Sequence, residues 1–230
     1  MADFGIGAMA VSSSRLQEIT TKLNSLFTPL GMEVHPFKIR WYNEHVSTAY
    51  QFDLHPDTRA YVVISTPDMF EKALLPFICS NDHIGSMDVL DRCMQFYFGL
   101  VKKEFPDEDV EIIHDFEMTP MRRAKVLVQP ACHVAGAAYY YTRKDLNSDP
   151  FEDKNIFGVC IHPKYGGWFA IRGIIIFKSV LCPNLQQTEP VDCVPQQEDR
   201  VKLLDLFTNH WKDWRYRDII PVKKRIASTA

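Results

Sequence analysis

No stretch of this 230-residue chain approaches the ~20 consecutive apolar residues that a membrane-crossing helix needs. The opening residues, MADFGIGAMAVSSSRLQ, hold no basic residue before Arg15 and only a short run of small apolar ones, a poor match to a secretory leader. Excess positive charge is missing as well: 26 Lys and Arg stand against 29 Asp and Glu, giving a net charge of −3. With a pI near 6.2, that balance argues against a general grip on nucleic acid or on an anionic membrane surface. The expectation is a cytoplasmic protein with no membrane and no nucleic-acid partner. No two cysteines stand two residues apart, so neither a zinc knuckle nor a thioredoxin-type redox pair is supported. Cys79, Cys93, Cys132, Cys160, Cys182 and Cys193 are expected to be reduced and largely buried, and thiol chemistry would then need a thiol from outside. A GxGxxG turn after a strand is absent, which leaves a Rossmann nucleotide site unsupported, and there is no internal repeat.

What is present reads as a single domain over 1–230, with a core of about 12–219 and short flexible termini. A chain of this size can bury roughly 70% of its unfolded surface and needs no metal or disulfide to hold it. Its aromatic content, 12%, suits a wall facing a large flat ligand, although without a site, filling the core is the better account of it.

Along the chain, Ser14 and Gln17 fit a capping box at the start of a helix reaching Thr28, with Leu16, Ile19, Leu23 and Leu26 on one stripe. Alternation at Phe37, Ile39 and Trp41 predicts a strand, and so does Ala60–Ile64. Thr66 and Pro67 have the chemistry of an N-cap and first helical residue, and Ser86–Glu104 is the clearest amphipathic helix. Strands are expected at Val110–Ile113 and Lys125–Val128. Ile156–Ile161 and Trp168–Phe177 flank a Pro163–Gly167 turn as a hairpin. The small-residue segment Ala131–Tyr141 reads as helical, Cys182–Gln197 as a loop, and Gln197–Trp211 as a last helix. Helices mixed with antiparallel hairpins predict an α+β fold, an antiparallel sheet flanked by helices, and not a doubly wound parallel sheet.

Three segments carry more than fold: ACHVAGAAYYYTR (131–143), FGVCIHPKYGGWFAIRG (157–173) and HWKDWRYRD (210–218). Together with WYNE (41–44) and STPDMF (65–70), they resemble the methylmalonic aciduria and homocystinuria type C (cblC) family over nearly the whole chain. The resemblance implies a flavin-reductase/nitroreductase-like fold and a cavity that holds cobalamin base-off. It implies glutathione-dependent dealkylation of alkylcobalamins and reductive decyanation of cyanocobalamin, with FMN or FAD and NADPH supplying electrons. The implied protein partners are the type D protein, with methionine synthase reductase a further candidate. Either a monomer or a ligand-promoted homodimer is compatible with it.

Site residues follow from the same resemblance. Arg172 in AIRG and Arg217 in WRYRD match the family's glutathione-binding arginines, whose planar forks suit carboxylates. Structural salt bridges are the open alternative for both. Asp115, Val126, Leu127, Val128, Gln129, Tyr140, Tyr141, Cys160 and Ile171 match ligand contacts, with Val126–Gln129 taken as a strand before the small-residue helix. Thr142 stands where the human-type pattern has Gln. Ala131, Ala135, Gly136, Ala137 and Ala138 would keep a corrin-facing wall low, or else pack a helix closely on a sheet. His133 and Gly136 form an HxxG resembling the cobalt-ligating motif of cobalamin-dependent mutases, but the Asp two residues before that His is Ala131 here. His133 is therefore expected in the cavity wall without ligating cobalt, a hydrogen-bonded core histidine being the alternative. No protein ligand to cobalt is expected. The family's further C-terminal arginine and Pro-rich tail would lie beyond Ala230. Their absence from this sequence suggests a cobalt face open to oxygen and a thiol oxidase side activity. A flavin-dependent reductase and a non-enzymatic cobalamin carrier are the competing functions.

Overall fold

The computed structural model describes residues 9–10, 12–80 and 88–225. In chain order these form β1 (Met9–Ala10), α1 (Ser13–Phe27), β2 (Met32–Lys38), α2 (Ile39–His45), β3 (Thr58–Ser65), α3 (Leu75–Cys79) and α4 (Val89–Glu104). There follow β4 (Val110–His114), α5 (Val128–Val134), β5 (Tyr139–Tyr141), β6 (Val159–Ile161), β7 (Ala170–Leu181) and α6 (Gln197–Asn209). Short 3-10 turns at Trp211–Asp213 and Arg215–Asp218 close the described chain. None of its helices is long and apolar enough to cross a membrane.

β7 is the axis of the main sheet. One of its edges pairs antiparallel with β3, which pairs antiparallel with β2. The other edge takes β4 antiparallel over Gly173–Phe177 and then β1, the one parallel pairing among the described residues. Both faces of the sheet are covered, which is why β3 and β7 read as continuous apolar runs. Ala60, Val62, Ile64, Ile174 and Ile176 pack under α2 and α5, while Tyr61, Val63, Ile175 and Phe177 pack under α1 and α4. A third core joins the separate β5–β6 pair to α6 through Tyr141, Ile161, Leu203 and Leu204. The α+β class with its antiparallel sheet and flanking helices is the one expected.

Several local expectations are corrected. Ser12, not Ser14, caps α1, its Oγ accepting the Arg15 N–H at 3.3 Å. The strand predicted around Phe37–Trp41 ends at Lys38. Ile39, Trp41 and Tyr42 bury themselves from a helix, a pattern that so short a segment cannot distinguish from alternation. Thr66 Oγ1 does accept the Asp68 N–H at 3.2 Å, yet the helical run begins only at a wide turn over Phe70–Leu74. The expected start of the next helix at Ser86 lies outside the described residues, and Asp88 caps α4. Lys125–Val128 is no strand, since Val128 already opens α5. Tyr139–Tyr141 is β5 and not helix, and β6 pairs with it instead of forming a hairpin with β7. A bridge from His162 to Gly166 closes the turn between them. Ala131, Ala135, Ala137 and Ala138 are all buried, letting α5 settle on the sheet instead of lining a ligand wall.

Candidate active site

Three adjoining cavities open where α5, the β5–β6 pair and α6 converge. The first, about 450 Å³, is walled by Gln129, Tyr140, Phe157, Phe207, Trp211 and Tyr216. The second, about 410 Å³, is bounded by His45, His133, Tyr139, Tyr140, Thr142 and Lys144. A third of about 160 Å³ lies against Gln129, Cys160, Phe169, Ile171, Phe207 and Tyr216. Tyr140 is common to the first two, and Gln129, Phe207 and Tyr216 to the first and third, so they form one groove. The first two are ligand-sized, and flat aromatic walls suit a flat ligand.

Strand alternation explains the tyrosine triplet. Tyr141 turns inward, where its hydroxyl donates to Asp192 Oδ1 at 2.7 Å and accepts the Val194 N–H at 2.8 Å. Tyr140 turns to the groove, and Gly158 makes room for its ring: a Cβ there would sit 2.6 Å from Tyr140 Cε2. His133 reaches the second cavity while its Nδ1 accepts the Tyr140 N–H at 3.1 Å. Burial, and then the nearby His45, lower its pKa, so it is neutral with its proton on Nε2.

Two arginines, Arg172 and Arg217, follow Ile171 and Tyr216 of the third cavity in the chain, and two separate devices place them. Arg172 is the extra residue of a β-bulge: Ile171 faces Ile64 and Gly173 faces Val63, leaving Arg172 with no counterpart on β3. Gly173 permits this with φ +140°, and a Cβ there would lie 2.3 Å from Ile113 O. The largely buried Arg172 donates from Nε to Ser65 Oγ at 2.8 Å. Burial lowers its pKa, Asp115 and Asp91 oppose that, and Arg217 adds to it. Arg217 rides on a bed made by Gly166 and Gly167, where a Cβ on Gly167 would come 2.8 Å from Arg217 Cα. Its Nη1 donates to Gly167 O at 2.8 Å, and its guanidinium lies over Trp168 and Tyr216, 5.3 Å from each ring centre. Arg217 Nε is buried without a partner. Neither arginine makes an ion pair with a carboxylate among the described residues. The double glycine of the sequence is thus a landing place for a cation as well as a turn.

Residues 31–230 match the Methylmalonic aciduria and homocystinuria type C family. The chain belongs to that family. A chicken relative named cyanocobalamin reductase / alkylcobalamin dealkylase is 52% identical over 209 residues, which cover 91% of this chain and 88% of the relative. The human protein of the same name is 44% identical over 211 residues, covering 92% of this chain and 75% of its own. A crystal structure of the Caenorhabditis elegans B12-trafficking protein CblC superimposes with a TM-score of 0.85 at 29% identity, covering 95% of this chain and 90% of that one.

Of the residues carried over from the family pattern, Gln129, His133, Tyr140, Thr142, Cys160 and Ile171 line the groove. The others lie elsewhere. Val126 is buried, Val128 packs against the first core, and the Leu127 N–H donates to Tyr42 Oη at 3.0 Å. Tyr141 belongs to the third core, and Thr142 spends its hydroxyl on Asp145 Oδ2 at 2.9 Å. Asp115 sits with Arg172, its N–H donating to Arg172 O at 3.3 Å. Phe157, Phe207, Trp211 and Tyr216 were not singled out by sequence. Trp211 and Tyr216 lie inside HWKDWRYRD, and Phe157 and Trp211 are large apolar residues that stay exposed, 57% and 55%.

Proposed function

We propose that this protein is a cyanocobalamin reductase and alkylcobalamin dealkylase that uses glutathione as the alkyl acceptor. The observation that carries the reading is the aromatic groove, with Arg172 and Arg217 next in the chain to Ile171 and Tyr216 of its third cavity and in no carboxylate ion pair among the described residues. Glutathione has two carboxylates, one for each guanidinium, and its thiol lies between them in the chain. Clustered positive charge favours the thiolate over the thiol and holds it at the groove.

The protein's own thiols suit the task badly. Burial pushes Cys93 up to about 11 and raises Cys160, Cys182 and Cys193 as well. At neutral pH these stay protonated, so the nucleophile comes with the substrate. Glutathione sulfur attacks the alkyl carbon on cobalt, and the cobalt–carbon bond breaks with its electron pair left on the metal. The products are a thioether and cob(I)alamin. Tyr140, Phe157, Trp211 and Tyr216 offer faces against which a corrin can rest, and the groove walls limit water at the reacting atoms. Decyanation takes one electron, which reduces Co(III) to Co(II) as cyanide leaves as its anion, and a reduced flavin, FMN or FAD with NADPH, is the donor class the family resemblance implies.

The test is an anaerobic visible spectrum of the protein with methylcobalamin, before and after glutathione. A base-off shift followed by loss of the cobalt–carbon chromophore only with glutathione is expected. A shift with no glutathione step would leave a carrier, and no shift at all would remove cobalamin as the ligand.

A further inference from the structure

The second cavity holds two histidines that the backbone fixes in opposite tautomers. His45 is the last residue of α2, and its Nδ1 meets the Trp41 carbonyl, one turn back, at 2.8 Å. A carbonyl only accepts, so Nδ1 carries the proton and Nε2 of the neutral ring is left as an acceptor. His133, on α5, is the reverse. Its Nδ1 accepts the Tyr140 N–H at 3.1 Å, which puts the ring proton on Nε2. The two ring centres stand 5.9 Å apart, and both rings bound the same cavity of about 410 Å³. Neither Nε2 has a partner among the described residues.

Asp145 and Arg143 also bound this cavity, but their charged groups are spent. Asp145 accepts from Tyr139 Oη at 2.9 Å, from the Thr142 N–H at 2.7 Å and from the Thr142 hydroxyl at 2.9 Å. Arg143 is held by Asp149 and by the carbonyls of Glu152 and Lys154. Lys144 is exposed at the rim, where a hydrated ammonium adds little. The histidines therefore set the polar character of the cavity: one donor and one acceptor, both neutral, beside the rings of Tyr139 and Tyr140. One planar group matches that pair, a primary carboxamide, whose oxygen accepts the His133 Nε2–H while its NH2 donates to His45 Nε2. Acceptor-only groups do not fit, since a carboxylate, a phosphate or an unprotonated ring nitrogen would face the His45 lone pair. We propose that His45 and His133 together form a receptor for a primary carboxamide and select it over the corresponding acid. The inference rests on the reading above for its two sources, the carboxamides around the corrin edge and the nicotinamide of NADPH.

Long-range proton–nitrogen NMR spectra of the whole protein, assigned with His45→Ala and His133→Ala, read both rings directly. Expected are a proton on Nδ1 of His45 and on Nε2 of His133, with both Nε2 signals moving when ligand is added. Movement with cyanocobalamin assigns the corrin edge, and movement with NADPH alone assigns the nicotinamide. Stillness with both overturns the inference, as does the same tautomer in both rings. Affinity is then compared between amide and acid: cyanocobalamin against its monocarboxylic acids, in which one edge amide is hydrolysed, and nicotinamide against nicotinic acid. For the assigned source, wild type is expected to bind at least one acid about tenfold or more weakly than the amide, the cost of an unmatched polar pair. His45→Ala, a change at an exposed helix end, should shrink that ratio to about twofold or less. No preference in wild type, or an unchanged one in the variant, overturns the inference. Cyanocobalamin that gives no base-off spectrum would remove the cobalamin reading and the corrin source with it, and the nicotinamide comparison then decides alone.

Discussion

Acid should weaken this fold through one histidine, and the size of the effect can be worked out. His162 is 7% exposed, at the bridge between β6 and the glycine bed of Arg217. Its Nδ1 accepts the Lys164 N–H at 3.0 Å, so taking up a second proton there means losing that bond. Its ring packs on Tyr165 at 4.5 Å and Phe169 at 5.6 Å, the nearest carboxylate oxygen is Glu33 Oε2 at 3.9 Å, and His35 and Lys164 add positive charge. Burial is the leading cause of a pKa lowered from 6.5 to about 4. The unfolded chain therefore binds a proton as pH drops below 6.5, and the native state resists until about 4. Stability falls across that window and levels off below it for this group. At 1.36 kcal/mol per pH unit the loss approaches about 3 kcal/mol. Urea unfolding of wild type and His162→Asn at pH 7, 6, 5 and 4 isolates the effect, because Asn can keep an acceptor near Nδ1 and cannot titrate. Wild type is expected to lose about 3 kcal/mol more than the variant between the ends of the series. Parallel curves for the two proteins would refute the reasoning.

Three further outcomes are expected. Gly167→Ala puts a methyl 2.8 Å from Arg217 Cα, so it should displace that segment and raise the KM for glutathione while leaving the base-off cobalamin spectrum intact. Steady-state kinetics against both substrates decides it. Trp211→Ala removes an exposed wall of the first cavity and should weaken cobalamin binding by about 1–3 kcal/mol, read by spectral titration, with a melting temperature close to wild type. Tyr141→Phe deletes the hydroxyl joining Asp192 to Val194 and should cost about 1–2 kcal/mol in urea unfolding, with cobalamin affinity little changed because its ring faces the third core. A large loss of affinity without loss of stability would make Tyr141 a ligand contact.

The chain's local patterns were enough for the α+β class, the first and last helices, and the apolar runs that become β3 and β7, since periodicity and burial act over a few neighbours. Long motif strings likewise marked the family and led to both arginines. What no local pattern contains is which surfaces meet. That Tyr139–Tyr141 is a strand was decided by its partner β6, not by the small residues before it, which favour helix in isolation. Whether the alanines of α5 face a ligand or a sheet depended on where α5 docks. Arg172 owes its direction to a bulge against β3, and Arg217 its place to two glycines some 50 residues earlier in the chain. Sequence alone established the chemical inventory and the spacing of its apolar stripes. Tertiary structure alone decided which of these residues would meet at the groove, because that follows from contacts between segments far apart in the chain.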